Sequence, residues 1–443
     1  MKIITILGAG LSATSLINYL LQHAEENDWQ IRLGDIDEQL AKKKINGSTR
    51  GQGFAFDVSN NTQVEEIVST SDFVVSLLPA RFHFVVAKAC VQFSIPMLTA
   101  SYVSTEIASL HEEAVAKGIG IYNELGVDPG IDHMSAMKII DQIRNAGGIL
   151  SAFFSSTGGL VAPDFDDNPW NYKFTWNPRN VVIAGQGVSK FIRNGDYKYI
   201  PYTQLFSRII PTSVEGYGQF EIYPNRDSLA YRKTYNLENI PTIFRGTIRR
   251  PGFAKAWNVF VQLGVTDDSY TIENSESMSY RQFINTFLPF REKESVEEKL
   301  ISLLPHLVDE EVMQKLHFLE IFSNKVIGLP SATPAQILQK ILEDKWQLKE
   351  GERDMIVMQH RFEYSDKENI QHTKVASLVV EGETKEITAM AKTVGLPLAI
   401  AVKLVATGKV NIPGVSVPVI PELYQPILAE LETLGIVFKE EDL

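Results

Sequence analysis

A short apolar run followed at once by a glycine-rich turn constrains the fold of this chain more than any other feature. Residues 3–7 are apolar enough for a buried strand, and residues 11–23 carry apolar side chains at helical spacing. The turn between them reads Gly8-Ala9-Gly10-Leu11-Ser12-Ala13. In this G-x-G-x-x-A pattern the first glycine permits a tight turn, the second lets a pyrophosphate approach the backbone, and the alanine lets the helix pack on the sheet. The pattern predicts a dinucleotide site; the alternative is a turn that only packs a helix against a sheet.

Two further features bear on the dinucleotide. The backbone N–H groups that open the helix, those of Leu11 and Ser12 among them, would face the phosphates at the positive end of the helix dipole. Asp35 follows the second predicted strand, about 20 residues beyond the turn, where an acidic side chain accepts hydrogen bonds from the adenosine ribose. Because a carboxylate there would repel a 2′-phosphate, we expect NAD(H) to be preferred. Asp37 competes for the same role, and Arg32 together with the lysine run 42–44 leaves NADP(H) open, although such a run is often a solvated helix face.

The first 125 residues alternate apolar runs with amphipathic stretches, which predicts a parallel sheet covered by helices. The predicted strands lie near residues 3–7, 30–34, 55–57, 73–77, 97–99 and 120–122, and the predicted helices at 11–23, 64–69, 83–93 and 104–117. This order indicates a Rossmann-type, doubly wound α/β domain. Loops that leave the carboxyl ends of parallel strands line the cofactor crevice, so Asp57, Val58, Leu78 and Pro79 are candidate cofactor contacts. Each of them could equally belong to an ordinary turn.

The residue composition of the sequence changes after residue 123. Glycines, prolines and aromatic residues become frequent, which predicts a second, α+β domain whose mixed sheet is interrupted by long loops. Residues 281–345 have helical apolar spacing and are predicted to form a mainly helical insertion, whereas 354–364 and 374–380 return to strand character. Two more helices are predicted, at 388–407 and 422–434.

Composition argues against several classes of function. Among 443 residues, 54 acidic side chains outnumber 42 basic ones and give a net charge of -12, so neither a nucleic acid nor a membrane surface is expected as a partner. Cys90 is the only cysteine and the eight histidines are scattered, so we expect no disulfide, no metal site and a reducing, cytoplasmic setting. No stretch free of charged side chains approaches the ~18 apolar residues of a membrane span.

Seven motifs and a carboxyl-terminal segment follow one another in order over nearly the whole chain. They read LLPA from Leu77, TASY from Thr99, LGVDPGIDHM from Leu125, GGLVAP from Gly158, DNPWNYKFTWNPR from Asp167, YPNRDSL from Tyr223, FRGTIR from Phe244 and MAKTVG from Met390. Together they resemble the saccharopine dehydrogenase family, and more narrowly its glutamate-forming reductases. The set is far more specific than the glycine fingerprint alone.

The resemblance implies an enzyme in which an amino group and an aldehyde join through an imine, coupled to oxidation or reduction by a nicotinamide cofactor. In the reductase branch, saccharopine is interconverted with glutamate and 2-aminoadipate 6-semialdehyde. The resemblance also implies that residues of about 388–443 complete the Rossmann domain of residues 1–125. Residues 126–387 would then form the substrate domain and supply the contacts of a homodimer.

Candidate substrate-binding residues follow from this implied chemistry. A substrate with three carboxylates needs cationic groups, and arginine binds a carboxylate with two parallel hydrogen bonds. We therefore expect Arg226 and Arg245 to be carboxylate ligands, with the Thr247 hydroxyl beside them. The alternative for both arginines is a structural ion pair, for instance with Asp227 or Glu221.

Asp128 is the candidate catalytic group. Hydride transfer to an imine is fast when the nitrogen is protonated, and a carboxylate in the turn after the sixth strand could stabilise the iminium charge or transfer a proton. The alternative is a turn in which Asp128 only accepts backbone hydrogen bonds, and Asp132 and His133 are lesser candidates. Ser101 and Tyr102, after the fifth strand, are candidates for binding the substrate or the nicotinamide side of the cofactor, or else belong to a helix N-cap region.

Two other functions stay open. A carboxynorspermidine dehydrogenase-like reductase would replace one carboxylate pocket by an acidic one for an amine, which the presence of Arg226 and Arg245 disfavours. The second is a nucleotide-binding protein without catalysis, because Thr157 stands where the fungal reductases carry a cysteine.

Overall fold

The computed structural model describes residues 1–443, which form two compact units. Unit 1 comprises Met1–Ile149 and Leu378–Phe438, and unit 2 comprises Leu150–Ser377 and Lys439–Leu443. The chain therefore leaves unit 1, forms most of unit 2, and returns to unit 1 before its last residues rejoin unit 2. Helices and strands are numbered along the whole chain.

Unit 1 contains a seven-stranded sheet with flanking helices. Its strands are β1 (Lys2–Leu7), β2 (Trp29–Asp35), β3 (Gly51–Ala55), β4 (Phe73–Ser76), β5 (Met97–Thr99), β6 (Gly120–Tyr122) and β15 (Gly414–Ser416). Its helices are α1 (Thr14–Gln22), α2 (Glu38–Ile45), α3 (Asn61–Ser69), α4 (His83–Phe93), α5 (Thr105–Ala108), α6 (His111–Ala116), α7 (Ile131–Asn145), α16 (Ala389–Ala406) and α17 (Pro421–Thr433).

The order of the strands explains where a ligand site forms in unit 1. The order is β15-β6-β5-β4-β1-β2-β3, and every neighbouring pair is parallel. The chain runs outward from β1 through β2 to β3 and then crosses to β4 on the other side of β1. Such a reversal leaves a crevice at the carboxyl ends of the two central strands. The Rossmann-type fold predicted from the sequence is confirmed.

Several elements of unit 1 differ from the sequence prediction. The third strand is β3 rather than residues 55–57, because two glycines, at 51 and 53, hide its strand character. Helix α2 was missed because only a few of its residues are apolar, and residues 104–117 form two short helices instead of one. The first segment of the Rossmann domain was expected to end at residue 125, but the first segment of unit 1 continues to Ile149. It does so because α7 packs against α17 of the same unit.

Helix α16 is the core helix of unit 1. It is long and apolar enough to cross a membrane by length and composition, with a mean hydropathy of 1.6, yet 72% of it is buried inside the fold. It packs on α1 and α17. A Cβ at Gly395 would lie only 2.8 Å from the backbone nitrogen of Leu16, so the two helix backbones touch at this position. This contact fixes α1, and with it the glycine turn that precedes α1.

Unit 2 contains a mixed sheet of nine strands, in agreement with the predicted α+β domain. Its strands are β7 (Ile149–Val161), β8 (Val188–Arg193), β9 (Asp196–Pro201), β10 (Ile210–Val214), β11 (Gly218–Pro224), β12 (Thr242–Arg249), β13 (Asp354–Ser365), β14 (Gln371–Glu381) and β16 (Lys439–Asp442). The main path is β10-β11-β12-β7-β13-β14-β16, and β8 joins β12 and β9 at the side. Strand β12 pairs in parallel with β7 and antiparallel with β11. It therefore lies inside the sheet, with a neighbour on each side.

The helices of unit 2 pack around an aromatic core. They are α8 (Pro178–Val182), α9 (Tyr202–Leu205), α10 (Tyr231–Thr234), α11 (Phe253–Leu263), α12 (Tyr280–Thr286), α13 (Val296–Leu303), α14 (Glu310–Phe318) and α15 (Pro334–Trp346). Four of them lie within the predicted helical insertion at 281–345 or overlap its ends. Trp170, Trp257 and Trp346 are at most 2% exposed, and Trp170 stacks on Phe260 at 5.8 Å between ring centres. The aromatic core also reaches β12, because the ring of Phe253 in α11 lies 5.3 Å from the guanidinium carbon of Arg249.

Candidate active site

The glycine turn of unit 1 has room for a phosphate group. Gly8 has a φ of +106°, and a Cβ there would lie 2.9 Å from the carbonyl oxygen of Leu77. Both the backbone conformation and the lack of space therefore exclude a side chain. Gly10 differs, because a Cβ there would meet nothing within 4 Å. After it the chain forms one 3-10 turn, Leu11–Ala13, with Ala13 buried, and then enters α1. The backbone at Gly10 is therefore open to a ligand next to the N–H groups that begin the helix, a position suited to a phosphate.

Two backbone N–H groups hold the carboxylate of Asp35 beside this turn. The N–H of Ala9 donates to Oδ2 at 2.7 Å, and the N–H of Asp37 donates to Oδ1 at 3.0 Å. The side chain of Asp37 instead accepts hydrogen bonds from the N–H groups of Gln39 and Leu40, and it caps α2. The competing candidate is thus occupied, and Asp35 is the acidic side chain at the end of β2 that faces the turn.

Lys44 contacts the turn as well, which the sequence did not indicate. Its Nζ donates to the carbonyl oxygen of Gly10 at 2.7 Å and to Oγ1 of Thr14 at 2.8 Å, and burial lowers its pKa. Lys42, in contrast, pairs with Glu38 on the surface of α2 at 2.8 Å. A run of three lysines does not show which one reaches inward, because that depends on how α2 is rotated against the sheet.

The residues after β3 and β4 lie at the same carboxyl edge of the sheet. Asp57 accepts hydrogen bonds from the N–H of Ser59 at 2.9 Å and from its hydroxyl at 2.7 Å, and these bonds lower the pKa of the Asp57 carboxyl. Val58 and Leu78 are partly buried and pack against the core, while Pro79 is exposed. Oδ1 of Asp57 thus accepts hydrogen bonds within its own turn, and cofactor contacts by all four residues stay predictions.

A buried histidine joins the ends of β4 and β5. Nδ1 of His83 lies 2.8 Å from Oγ of Ser76, and Nε2 lies 2.6 Å from Oγ of Ser101. His83 is 2% exposed, and burial lowers its pKa to about 4. Ser101 was a candidate from the sequence, but His83 was not, because one histidine at the start of an apolar helix forms no pattern.

The structure brings Asp128 and Tyr102 together. The Tyr102 hydroxyl donates to Oδ1 of Asp128 at 3.3 Å. The backbone of the turn that carries Asp128 is closed by another carboxylate, since the N–H of Gly130 donates to Oδ1 of Asp132 at 2.6 Å. Asp132 is fully buried in the first turn of α7. It therefore has the structural role, and Asp128 is the partly exposed carboxylate of the pair.

His133, the other lesser candidate, is also used inside the fold. Its Nε2 lies 2.7 Å from Oε2 of Glu124, and Oε1 of Glu124 accepts a hydrogen bond from the N–H of Val103 at 3.1 Å. His133 is fully buried and Glu124 is 8% exposed. The pair ties α7 to the segments that follow β5 and β6.

In unit 2, the acidic residues suggested as structural partners of the arginines serve other groups. Asp227 pairs with Lys190 at 3.2 Å and accepts a hydrogen bond from the N–H of Leu229 at 2.9 Å. Arg226 itself is exposed and has a φ of +45°. The Asp227 carboxylate thus stabilises the loop that carries Arg226.

Arg245 is buried on β12. Its guanidinium carbon lies 3.9 Å from the centre of the Tyr231 ring, and the residue is 3% exposed. Glu221, the other suggested partner, accepts hydrogen bonds at 2.6 Å from the N–H of Ala254 and at 3.0 Å from that of Gly252. Glu221 therefore caps the amino end of α11, a favourable place for a carboxylate.

Arg249 is a third arginine of this region, which the sequence analysis did not single out. It is 5% exposed, its Nη1 donates to the carbonyl oxygen of Ile248 at 2.8 Å, and its Nε has no hydrogen-bond partner. Aromatic rings surround it, with centres 5.0 Å (Tyr172), 5.3 Å (Phe253) and 6.0 Å (Tyr223) away. The residue opposite it on β11 is Glu221, whose oxygens are both taken by α11, as described above.

Other unpartnered polar atoms lie close to Arg249. The hydroxyl of Tyr172 is buried with no hydrogen-bond partner within 3.5 Å, and burial raises its pKa to about 12, against the lowering effects of the Arg249 charge and the Trp176 side chain. Oγ1 of Thr157 is also buried without a partner, and Thr157 stands beside Thr247 in the register of β7 and β12. Because side chains alternate along a strand, Arg245, Thr247 and Arg249 share one face of β12. The alternation in the FRGTIR motif was the signal that could have identified Arg249.

Comparison with known proteins identifies the family. Residues 4–121 match the model of the saccharopine dehydrogenase NADP binding domain, and residues 126–436 match that of the saccharopine dehydrogenase C-terminal domain. The two matches together cover nearly the whole chain.

Individual relatives agree with this. A saccharopine dehydrogenase (NADP(+), L-glutamate-forming) from Schizosaccharomyces pombe is 33% identical, and the alignment covers 100% of this chain and 99% of that protein. The mitochondrial alpha-aminoadipic semialdehyde synthase of Mus musculus is 32% identical over 99% of this chain, which corresponds to 48% of that longer protein. The apo structure of the L-Glu-forming saccharopine dehydrogenase from Saccharomyces cerevisiae superimposes with a TM-score of 0.91 over 100% of both chains, at 30% identity. The chain therefore belongs to the saccharopine dehydrogenase family.

Proposed function

We propose that this chain is an oxidoreductase that interconverts saccharopine with glutamate and 2-aminoadipate 6-semialdehyde, using a nicotinamide dinucleotide. The observation that carries the proposal is the polar face of β12, where Arg249 is buried with an unpartnered Nε next to Thr247 and Arg245. Full-length relatives that are named L-glutamate-forming saccharopine dehydrogenases support the same reaction. The dinucleotide, when bound, accepts a hydride from saccharopine or donates one to the imine.

We assign the carboxylates of the substrate to the arginines of unit 2. A buried cation is unfavourable unless an anion or hydrogen-bond acceptors compensate it, and no carboxylate of the chain takes that place at Nε of Arg249. A substrate carboxylate would satisfy Nε, with the Tyr172 hydroxyl as a further donor. Arg226 and Arg245 remain our candidates for the other carboxylates, with the Thr247 hydroxyl between Arg245 and Arg249 on the strand.

We assign the stabilisation of the iminium charge to Asp128 of unit 1. A carboxylate favours the protonated imine, and the Tyr102 hydroxyl at 3.3 Å orients Oδ1 of Asp128. Oxidation of saccharopine requires that a water molecule then adds to the iminium carbon and loses a proton, for which Asp128 is the candidate acceptor. Thr157 cannot act as a thiol does, and we assign no catalytic step to it.

We propose that the chain prefers NAD(H), although its relatives are named as NADP(+)-dependent. A 2′-phosphate on the adenosine ribose would meet the Asp35 carboxylate, which the N–H groups of Ala9 and Asp37 hold in place. Two basic side chains near β2 have hydrogen-bond partners of their own. Lys44 binds the turn itself, as described above, and Arg32 donates to Thr70 at 2.9 Å.

Two further expectations remain proposals. The homodimer is supported by the resemblance to the family alone, and the reducing, cytoplasmic setting by a single, buried cysteine, Cys90.

The proposed reaction is tested with purified protein by following NADH formation from saccharopine and NAD+, and NADH consumption with glutamate plus the semialdehyde. We expect turnover in both directions and none with carboxynorspermidine, because the arginines suit carboxylates rather than an amine. Tight dinucleotide binding without any turnover would support the non-catalytic alternative and contradict the proposal.

The cofactor preference is tested by comparing kcat/KM for NADH and NADPH. We expect NADH to be favoured at least ~10-fold, and Asp35→Ser to reduce that ratio by ~10-fold or more, because it removes the charge that opposes the phosphate. Asp37→Asn is the matched control, since asparagine also caps α2, and it should leave the ratio unchanged. A wild-type preference for NADPH would contradict the role given to Asp35.

The role of Arg249 is tested by Arg249→Lys, which keeps the charge but loses the Nε donor. We expect KM for saccharopine to rise ~10-fold or more with a smaller change in kcat, because a hydrogen bond to a charged group is lost in ground and transition state alike. Arg250→Lys is the matched control, because Arg250 donates to the carbonyl oxygen of Tyr217 and stacks on Phe220 instead. If Arg249→Lys and Arg250→Lys have equal KM values for saccharopine and equal thermal unfolding midpoints, the role of Arg249 is only structural.

A further inference from the structure

The hydrogen bonds of His83 restrict which way the Ser101 hydroxyl can point. Both ring nitrogens are engaged, Nδ1 with Oγ of Ser76 at 2.8 Å and Nε2 with Oγ of Ser101 at 2.6 Å. Ser76 is the last residue of β4 and Ser101 follows β5, so all three side chains lie at the carboxyl edge of the parallel sheet in unit 1. The ring is buried, whereas Ser101 is partly exposed.

The ring is neutral at physiological pH, because burial lowers its pKa to about 4. A neutral imidazole carries one N–H, so one nitrogen donates and the other accepts. If one ring nitrogen of His83 donates to its serine, the other must therefore accept a hydrogen bond from its own serine.

Ser76 decides between the two directions. Its hydroxyl is fully buried and its hydrogen bond is the one to His83. If Nδ1–H donated to Ser76, the Ser76 O–H would be left as a buried donor without an acceptor, which is unfavourable. The favoured arrangement has Ser76 O–H donating to Nδ1 and Nε2–H donating to Oγ of Ser101.

The backbone of Ser101 is fixed as well. Its N–H donates to Oγ1 of Thr99 at 3.2 Å, and its carbonyl oxygen accepts a hydrogen bond from the N–H of Glu124 at 3.0 Å. The rotation of its hydroxyl is the remaining freedom, and a donating Nε2–H of His83 restricts it, because the O–H can then no longer point toward the ring. The O–H of Ser101 is then available as a donor to an external acceptor.

We propose that His83 is a positioning residue that turns the Ser101 hydroxyl outward as a donor to an acceptor group of the substrate, such as a carboxylate oxygen. This rests on the proposed function for the identity of the substrate. The orientation itself rests only on the contacts of Ser76, His83 and Ser101. In this account His83 contacts no reacting atom and exchanges no proton with the substrate.

Two substitutions at position 83 separate this role from a merely structural one. The amide nitrogen of glutamine can reach the position of Nε2 and donate to Ser101, whereas the shorter asparagine reaches only the position of Nδ1, near Ser76. His83→Gln should therefore retain most of the function that His83→Asn loses. Ser71→Ala is the matched control for loss of a buried hydroxyl, because Ser71 contacts Thr5 at 2.6 Å at the other end of β4.

The kinetic readout is KM and kcat for saccharopine, together with dinucleotide binding followed by NADH fluorescence. We expect Ser101→Ala and His83→Asn each to raise KM ~10-fold, the double variant to raise it no further, and His83→Gln to stay within ~3-fold of the wild type. NADH affinity and the Ser71→Ala kinetics should be unchanged. Multiplicative effects of Ser101→Ala and His83→Asn, or an equal loss in His83→Gln and His83→Asn, would overturn the proposal.

A second measurement keeps this inference separate from the proposed reaction. In protein labelled with 15N-histidine, the resonances of the His83 ring are identified as those that disappear in His83→Asn. Between pH 6 and 8 they should show the neutral ring with its proton on Nε2. A neutral Nδ1–H form would overturn the orientation of Ser101 even if saccharopine is turned over. If the Nε2–H form is found but saccharopine is not a substrate, the proposed function fails and the orientation stands.

Discussion

The proposed substrate site of this protein depends on one physical constraint, a guanidinium group that is buried without a carboxylate partner. Arg249 lies inside unit 2 among aromatic rings, and its Nε is unsatisfied. The acidic residue opposite to it, Glu221, is committed to the amino end of α11. Cation–π contacts compensate a buried charge only in part, by about 2 kcal/mol in desolvated sites. A site built in this way gains from binding an anion, which is what a tricarboxylate substrate provides.

Unit 1 differs from unit 2, because its candidate dinucleotide site is formed mainly by the backbone of the glycine turn. The parallel sheet brings the ends of β1, β2, β4 and β5 to one edge, and the glycine turn leaves open space at Gly10. Side chains here mainly hold other groups in position. Asp35 anchors the turn through Ala9, Lys44 contacts it from α2, and His83 orients Ser101.

The sequence predicted the parts of this structure that depend on local pattern. The glycine turn, the parallel sheet and the long apolar helix α16 all have regular spacing, and they were found where the spacing indicated. Strand β3 was misplaced because glycines carry no apolar signal, and α2 was missed because its surface is mostly polar. The alternation in the FRGTIR motif could have drawn attention to Arg249, but the roles of Arg249 and His83 could not be recognised in this way, because they depend on which polar atoms around these side chains lack a hydrogen-bond partner or have one. Those relations appear only when distant segments of the chain have packed together.

The most direct measurement of the central claim is a crystal structure of the protein with saccharopine and a dinucleotide bound. The account predicts a substrate carboxylate oxygen within ~3.2 Å of Nε of Arg249, with the Tyr172 hydroxyl as a second donor to the same group. A complex in which saccharopine is bound and all of its carboxylates are held by other residues, with Nε of Arg249 unchanged among its aromatic neighbours, would contradict it.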